Sequence, residues 1–207
     1  MRKIGLILVL AAAAFSGALL GKSTSQARNV SGFSGVTLAT SGDLTIEQGS
    51  TESLTITSDD NLLPYLTSEV TGNKLTLGAK ERTKLRGNIH YRLTAKNLNS
   101  IELTGSGSID ATGIHADRLT VMIAGSGSLW ITGSADQQEV TVAGSGSYHG
   151  GDLKTKTATV NLMGSGNADL AVSDKLNVTI NGSGSLKYSG DPVVTKALHG
   201  SGSIHKR

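Results

Sequence analysis

The chain has 207 residues, 37% hydrophobic but only 3% aromatic, with 19 basic and 16 acidic side chains and no cysteine. That length suits one domain. The lack of cysteine excludes disulfides, a thiolate metal site and a lipid anchor on an N-terminal Cys, and so few aromatic rings leave little material for base stacking.

The chain starts with the basic Met1-Arg2-Lys3, runs apolar from Ile4 to Leu20, and reaches small residues at Ser25-Gln26-Ala27. This order predicts a secretory signal peptide over residues 1–27, cut after Ala27. An uncleaved membrane anchor is the alternative, but the run is short and broken by Gly5, Ser16 and Gly17. Removing Arg2, Lys3 and Lys22 leaves 16 basic against 16 acidic residues, so the basic balance belongs to the leader and nucleic acid is not an expected partner.

Residues 28–207 are expected to form one β-helical domain, with diverged coils and a cap over 28–97 and regular repeats over 98–207. Val36 to Ile46 fits a first coil, with Thr40-Ser41-Gly42-Asp43 at its corner and Leu38 and Leu44 facing inward. Leu54-Thr55-Ile56 and Lys74 to Leu77 read as strands, Asp59-Asp60-Asn61 and Thr71-Gly72-Asn73 as turns, and Leu62-Leu63-Pro64-Tyr65 as a cap over the solenoid end. Next comes the one charged stretch, where Lys80, Arg82, Lys84, Arg86 and Arg92 stand against Glu81 alone. It is either a solvated loop between coils or, at Lys80, Arg82, Lys84 and Arg86, a place for an anionic glycan or headgroup. Ile89 to Leu93 then alternates as a strand.

From Gly105 a Gly-Ser-Gly corner recurs, starting again at Gly125, Gly144, Gly164, Gly182 and Gly200, in steps of 20, 19, 20, 18 and 18 residues. Such a period marks a stacked repeat. Apolar residues stand two and four before the first glycine (Leu103, Ile123, Val142; Ile101, Val121, Val140) and four after it (Ile109, Leu129, Tyr148, Leu186). Alternation of this kind places a half-buried strand on each side of the corner. Both glycines share the inward parity, where a coil turning a corner has no room for Cβ. The predicted fold is all-β, a right-handed parallel β-helix of roughly seven or more coils, with an antiparallel barrel as the less favoured alternative. Stacking then lines up Ser106, Ser126, Ser145, Ser165, Ser183 and Ser201 in one outer file, and Ser108, Ser128, Ser147, Asn167, Ser185 and Ser203 in a second. The chain ends directly after its last corner, so the open edge is either guarded by its own charges or paired end to end with a second copy.

The opening Arg28 to Val36, the Gly42-Asp43-Leu44 step, Asp59 to Leu63, and Leu98 to Gly107 resemble the bacterial family described as putative auto-transporter adhesin, head GIN domain. The resemblance covers about Phe33 to Ile204. It implies an exported bacterial protein of β-helical fold with an adhesive or envelope role, and it carries no catalytic residues across.

A file of Asp110, Trp130, His149, Asp169, Lys187 and His205 is the best chemical cluster, with a ring able to stack on a sugar; an ordinary solvated face is the competing reading. The histidines have no metal spacing, Ser stands where a calcium roll needs Asp, and no cofactor-binding motif is present. The outward positions five before the glycine are too mixed for an ice-matching lattice. The sequence therefore predicts a non-catalytic envelope or surface protein, periplasmic or extracellular, that binds glycan, matrix or protein weakly and repeatedly through its serine face. The alternatives are a periplasmic protein that binds or cleaves polysaccharide, and a structural envelope component with a protein partner. Contact with a membrane is expected only through an uncleaved leader.

Overall fold

The computed structural model describes residues 23–80 and 87–207. Its strands are β1 (Ser23–Arg28), β2 (Gly35–Leu38), β3 (Asp43–Gln48), β4 (Ser53–Asp59), β5 (Leu66–Thr71), β6 (Lys74–Ala79), β7 (Ile89–Ala95) and β8 (Ser100–Gly105). They are followed by β9 (Ser108–Gly125), β10 (Ser128–Gly144), β11 (Ser147–Gly164), β12 (Asn167–Gly182), β13 (Ser185–Ser189), β14 (Val193–His199) and β15 (Ser203–Lys206). The one helical element among the described residues is a 3-10 turn at Leu63–Tyr65.

The chain forms a β-solenoid of about five turns. From β8 onward every pairing is parallel, which removes the barrel alternative. Each long strand bends midway, so one half stacks on the half before a glycine corner and the other on the half after it. The inward residues form continuous apolar columns. Ile101, Val121, Val140 and Val160 follow one another in register and are fully buried. Each buried aliphatic side chain contributes about 1.5–3 kcal/mol of transfer free energy, set against the entropy of ordering the chain.

The coil count falls short of seven because the N-terminal third is not a simple run of coils. The first coil, β2 and β3, lies between two others, with β2 paired to β6 and β8, and β3 to β7 and β9. The chain leaves β3, makes β4, which lies antiparallel to β7, then the hairpin of β5 and β6, and returns through β7 beside β3. Antiparallel β1 covers the outer edge of β4. This end is closed: Leu54, Ile56, Leu62, Leu63 and Leu66 are buried, and Arg28 donates to the carbonyls of Leu63 and Leu66.

β6 and β7 flank the first coil on β2 and β3 respectively, and the charged stretch lies between them in the chain. Lys80 stands at its start, exposed, while Arg82, Lys84 and Arg86 lie outside the described residues. The predicted leader also lies outside them up to Lys22, but the cut expected after Ala27 would remove five of the six residues of β1.

Candidate functional site

The corners explain why glycine recurs. At Gly105, Gly125, Gly144, Gly164, Gly182 and Gly200, φ lies between +122° and +133°, a region nearly closed to other residues. A Cβ on Gly125 would sit 2.4 Å from the Gly105 carbonyl oxygen, and one on Gly127 would sit 2.5 Å from the Gly107 oxygen. Coils touch backbone to backbone here. The backbone N–H of Ser126 donates to the Gly105 carbonyl, that of Ser145 to Gly125, and that of Ser165 to Gly144.

This packing turns the intervening serines outward. Ser106, Ser126, Ser145, Ser165, Ser183 and Ser201 are all exposed, one at each glycine corner, in a file. The second file also forms, with Ser128 in register with Ser108 and Ser147, and Ser203 bonded to Ser185 through their hydroxyls at 3.2 Å. At its N-terminal end Ser108 donates to Asp43, which His90 approaches at 3.5 Å.

Beside the second serine file, the register assembles the predicted column residue by residue: Asp110, Trp130, His149, Asp169, Lys187 and His205. Trp130 stacks on His149 with ring centroids 4.9 Å apart and planes 11° from parallel. Toward the C-terminus Arg207 pairs with Asp169, and a cavity of about 410 Å³ opens among His149, Asp169, Lys187 and Arg207. These groups offer stacking, hydrogen-bond acceptors and cations. They do not present two converging carboxylates for acid/base chemistry.

The opposite corner of the coil carries a feature absent from the sequence reading. There the coils leave a groove of about 1230 Å³ along the solenoid. Its floor is a file in register, Ala116, Ala135, Thr155 and Val172, and its rims carry His115, Arg118, Asp136, Lys154 and Lys156. Lys156 pairs with Asp136 at 2.8 Å, and that hydrogen bond and charge raise the lysine pKa above its ordinary value. Under the floor, Tyr148 donates to Gln138 at 2.8 Å and Gln138 donates to Thr155 at 2.8 Å, all three buried. Burial, then the charge of Asp169, pushes the Tyr148 hydroxyl far above its usual range, so it stays a donor. The groove escaped the sequence because the coils differ in length on this side. Register slips between Trp130 and Thr132 and again between Gly150 and Lys154 hide the shared frame.

Solved structures of similar shape include chains from Parabacteroides and Bacteroides species. A Parabacteroides distasonis chain described as a putative lipid binding protein is 26% identical, with 91% of this chain and 98% of that one covered and a TM-score of 0.60. A Bacteroides fragilis chain described as a putative adhesin is 22% identical over 90% and 97%, with a TM-score of 0.74. A second Parabacteroides distasonis chain, also described as a putative adhesin, is 22% identical over 91% and 98%, with a TM-score of 0.60. At 22% identity the two adhesins support the fold alone. No curated protein matches the chain. The family model described as "Putative auto-transporter adhesin, head GIN domain" matches residues 32–192, and the chain belongs to that family.

Proposed function

We propose that the protein is exported and acts without catalysis, as an adhesin whose flat, hydroxyl-rich face holds glycan on a neighbouring surface. The observation that carries this is the unbroken file of six exposed serines, one at each glycine corner, beside the column that bears Trp130. Each hydroxyl contact is worth about 1 kcal/mol or less against water. Useful affinity therefore comes from many contacts acting together, across coils and across copies on a surface.

The test is retention on immobilised glycans and matrix proteins, with the protein displayed in many copies. Ser126, Ser145, Ser165 and Ser183 changed together to Ala should weaken retention several-fold and leave thermal unfolding unchanged. Retention equal to wild type would make the serine file purely structural. A second reading, a lipid in the groove, is favoured by the small-residue floor and by the description of the 26% identical Parabacteroides chain. Saturable binding of a fluorescent fatty acid, lost on Ala135→Trp, would favour it over adhesion.

A further inference from the structure

The side-chain file that holds Trp130 does not stop at Asp110. Register puts Thr45 beside Asp110 and Arg92 beside Thr45, so the order along the axis is Arg92, Thr45, Asp110, Trp130, His149. The Trp130 and His149 centroids are 4.9 Å apart, close to the strand spacing of about 4.8 Å. Two rings lying flat on a sheet could not approach so closely with parallel planes. They therefore stand on edge, their faces turned along the solenoid axis. His149 covers one face of the indole. The other looks over Asp110 and Thr45, whose side chains are too short to cover it, and Trp130 is 45% exposed. Arg92, three strand spacings or about 14 Å away, bounds the far end. Ser108 and Ser128 flank this slot on one side, and Thr112 and Thr132 on the other.

We propose that the slot takes one pyranose ring of a neutral glycan. The apolar C–H face of the sugar stacks on the open face of Trp130, continuing the ladder that His149 begins. A ring hydroxyl donates to the Asp110 carboxylate, the stronger charge-assisted type of hydrogen bond, and Arg92 donates to a sugar oxygen. Charge decides between neutral and acidic sugars. Among the described residues, Asp110, Asp43 and Glu47 all border the slot on neighbouring strands, against the cation Arg92 and the half-exposed His90. A uronate carboxylate would face these three acids, whereas hydroxyls find acceptors.

The inference rests on the glycan reading above and names the subsite for it. The experiment is built on the protein's single tryptophan, whose emission reports this slot alone. The purified full-length protein is titrated with hexamers of β-1,4-glucose, β-1,3-glucose, N-acetylglucosamine and mannose, and with hexagalacturonate. We expect a saturable shift in emission with at least one neutral hexamer and none with hexagalacturonate. By calorimetry, Asp110→Asn should weaken that binding at least tenfold and Arg92→Gln several-fold, with the thermal unfolding midpoint unchanged. A response to hexagalacturonate alone, no response to any hexamer, or wild-type affinity in Asp110→Asn would overturn the proposal. Glycan retention without any change in emission would remove this subsite but leave the adhesin reading standing. Loss of retention as well would remove both.

Discussion

A methyl group at Gly125 has nowhere to go. Its Cβ would lie 2.4 Å from the Gly105 carbonyl oxygen, and φ is +129°. Gly113 also has a positive φ, +66°, but nothing lies within 4 Å of its missing Cβ. The two positions separate backbone strain from collision. Gly113→Ala carries strain alone and should cost about 1 kcal/mol. Gly125→Ala adds a clash with backbone that cannot move independently, and should cost about 3 kcal/mol or more. Urea unfolding of both variants checks this, and equal losses would mean that the coils can separate at their corners. The Gly-Ser-Gly spacing made these corners legible in the sequence because each glycine meets the same geometric demand. Gly133 meets a comparable one, its Cβ placed 2.0 Å from the Ile114 oxygen, but it stands singly and left no pattern.

Among the elements, the outer end of the repeat is tied by one polar cluster. Glu102 on β8 accepts from Lys74 on β6 at 2.5 Å and from Thr37 on β2 at 3.0 Å, linking three strands that are distant in the chain. Partial burial pushes the Glu102 carboxyl up, but the hydrogen bonds from Lys74 and Thr37 and the Lys74 charge outweigh it, and the net pKa is lowered. A carboxyl lowered on folding stabilises the protein above its ordinary pKa and loses that contribution as pH falls through the lowered value. The groups are partly exposed, so the contribution is modest, about 0.5 kcal/mol. Glu102→Gln should therefore destabilise the protein slightly at pH 7, and the difference from wild type should shrink as pH falls below the ordinary carboxylate range, as followed by thermal melts across pH. A difference that did not shrink with falling pH would locate the effect in packing.

What the sequence revealed at this scale was set by periodicity. The alternation fixed the inward columns and, through them, the neighbours of Trp130, down to the order of the six residues in its file. The antiparallel cap was only partly visible: β4 and β6 read as strands, but nothing in their pattern shows that β7 comes back between β3 and β4. That placement is a long-range pairing, which local alternation cannot encode. Arg92 lay outside the glycine frame, so its alignment with Thr45 and Asp110 needed the observed register.

The whole molecule has two unlike ends. The N-terminal end is closed by β1, β4, β5 and the 3-10 turn, whereas β14 and β15 pair on one side only. On the last coil Val193 is 72% exposed and Leu198 is 41% exposed. An open parallel edge of this kind invites another strand. Lys196 stands against that. It is in register with Val178, so it occupies the inward column that holds Ile or Val in the regular coils before it. Two β14 strands paired antiparallel about their centres would set one Lys196 against its copy at the heart of the contact. Of the two readings of this edge, protection by its own charge has the better physical case. Wild type is expected to be monomeric by light scattering at high concentration. Lys196→Val should form end-to-end dimers or longer stacks, while Lys196→Glu should not. A wild-type dimer, or a monomeric Lys196→Val, would show that this lysine is not the guard.

The sandwiching of the first coil also sets a direction for assembly. β2 and β3 have neighbours on both sides only once the chain has been made as far as Thr112, so the cap and first coil form a unit that cannot be shortened from the front. Every later coil needs only the one before it. Growth and loss of length during divergence are therefore free at the rear of the molecule and forbidden at the front, and relatives with more or fewer coils should share one conserved beginning.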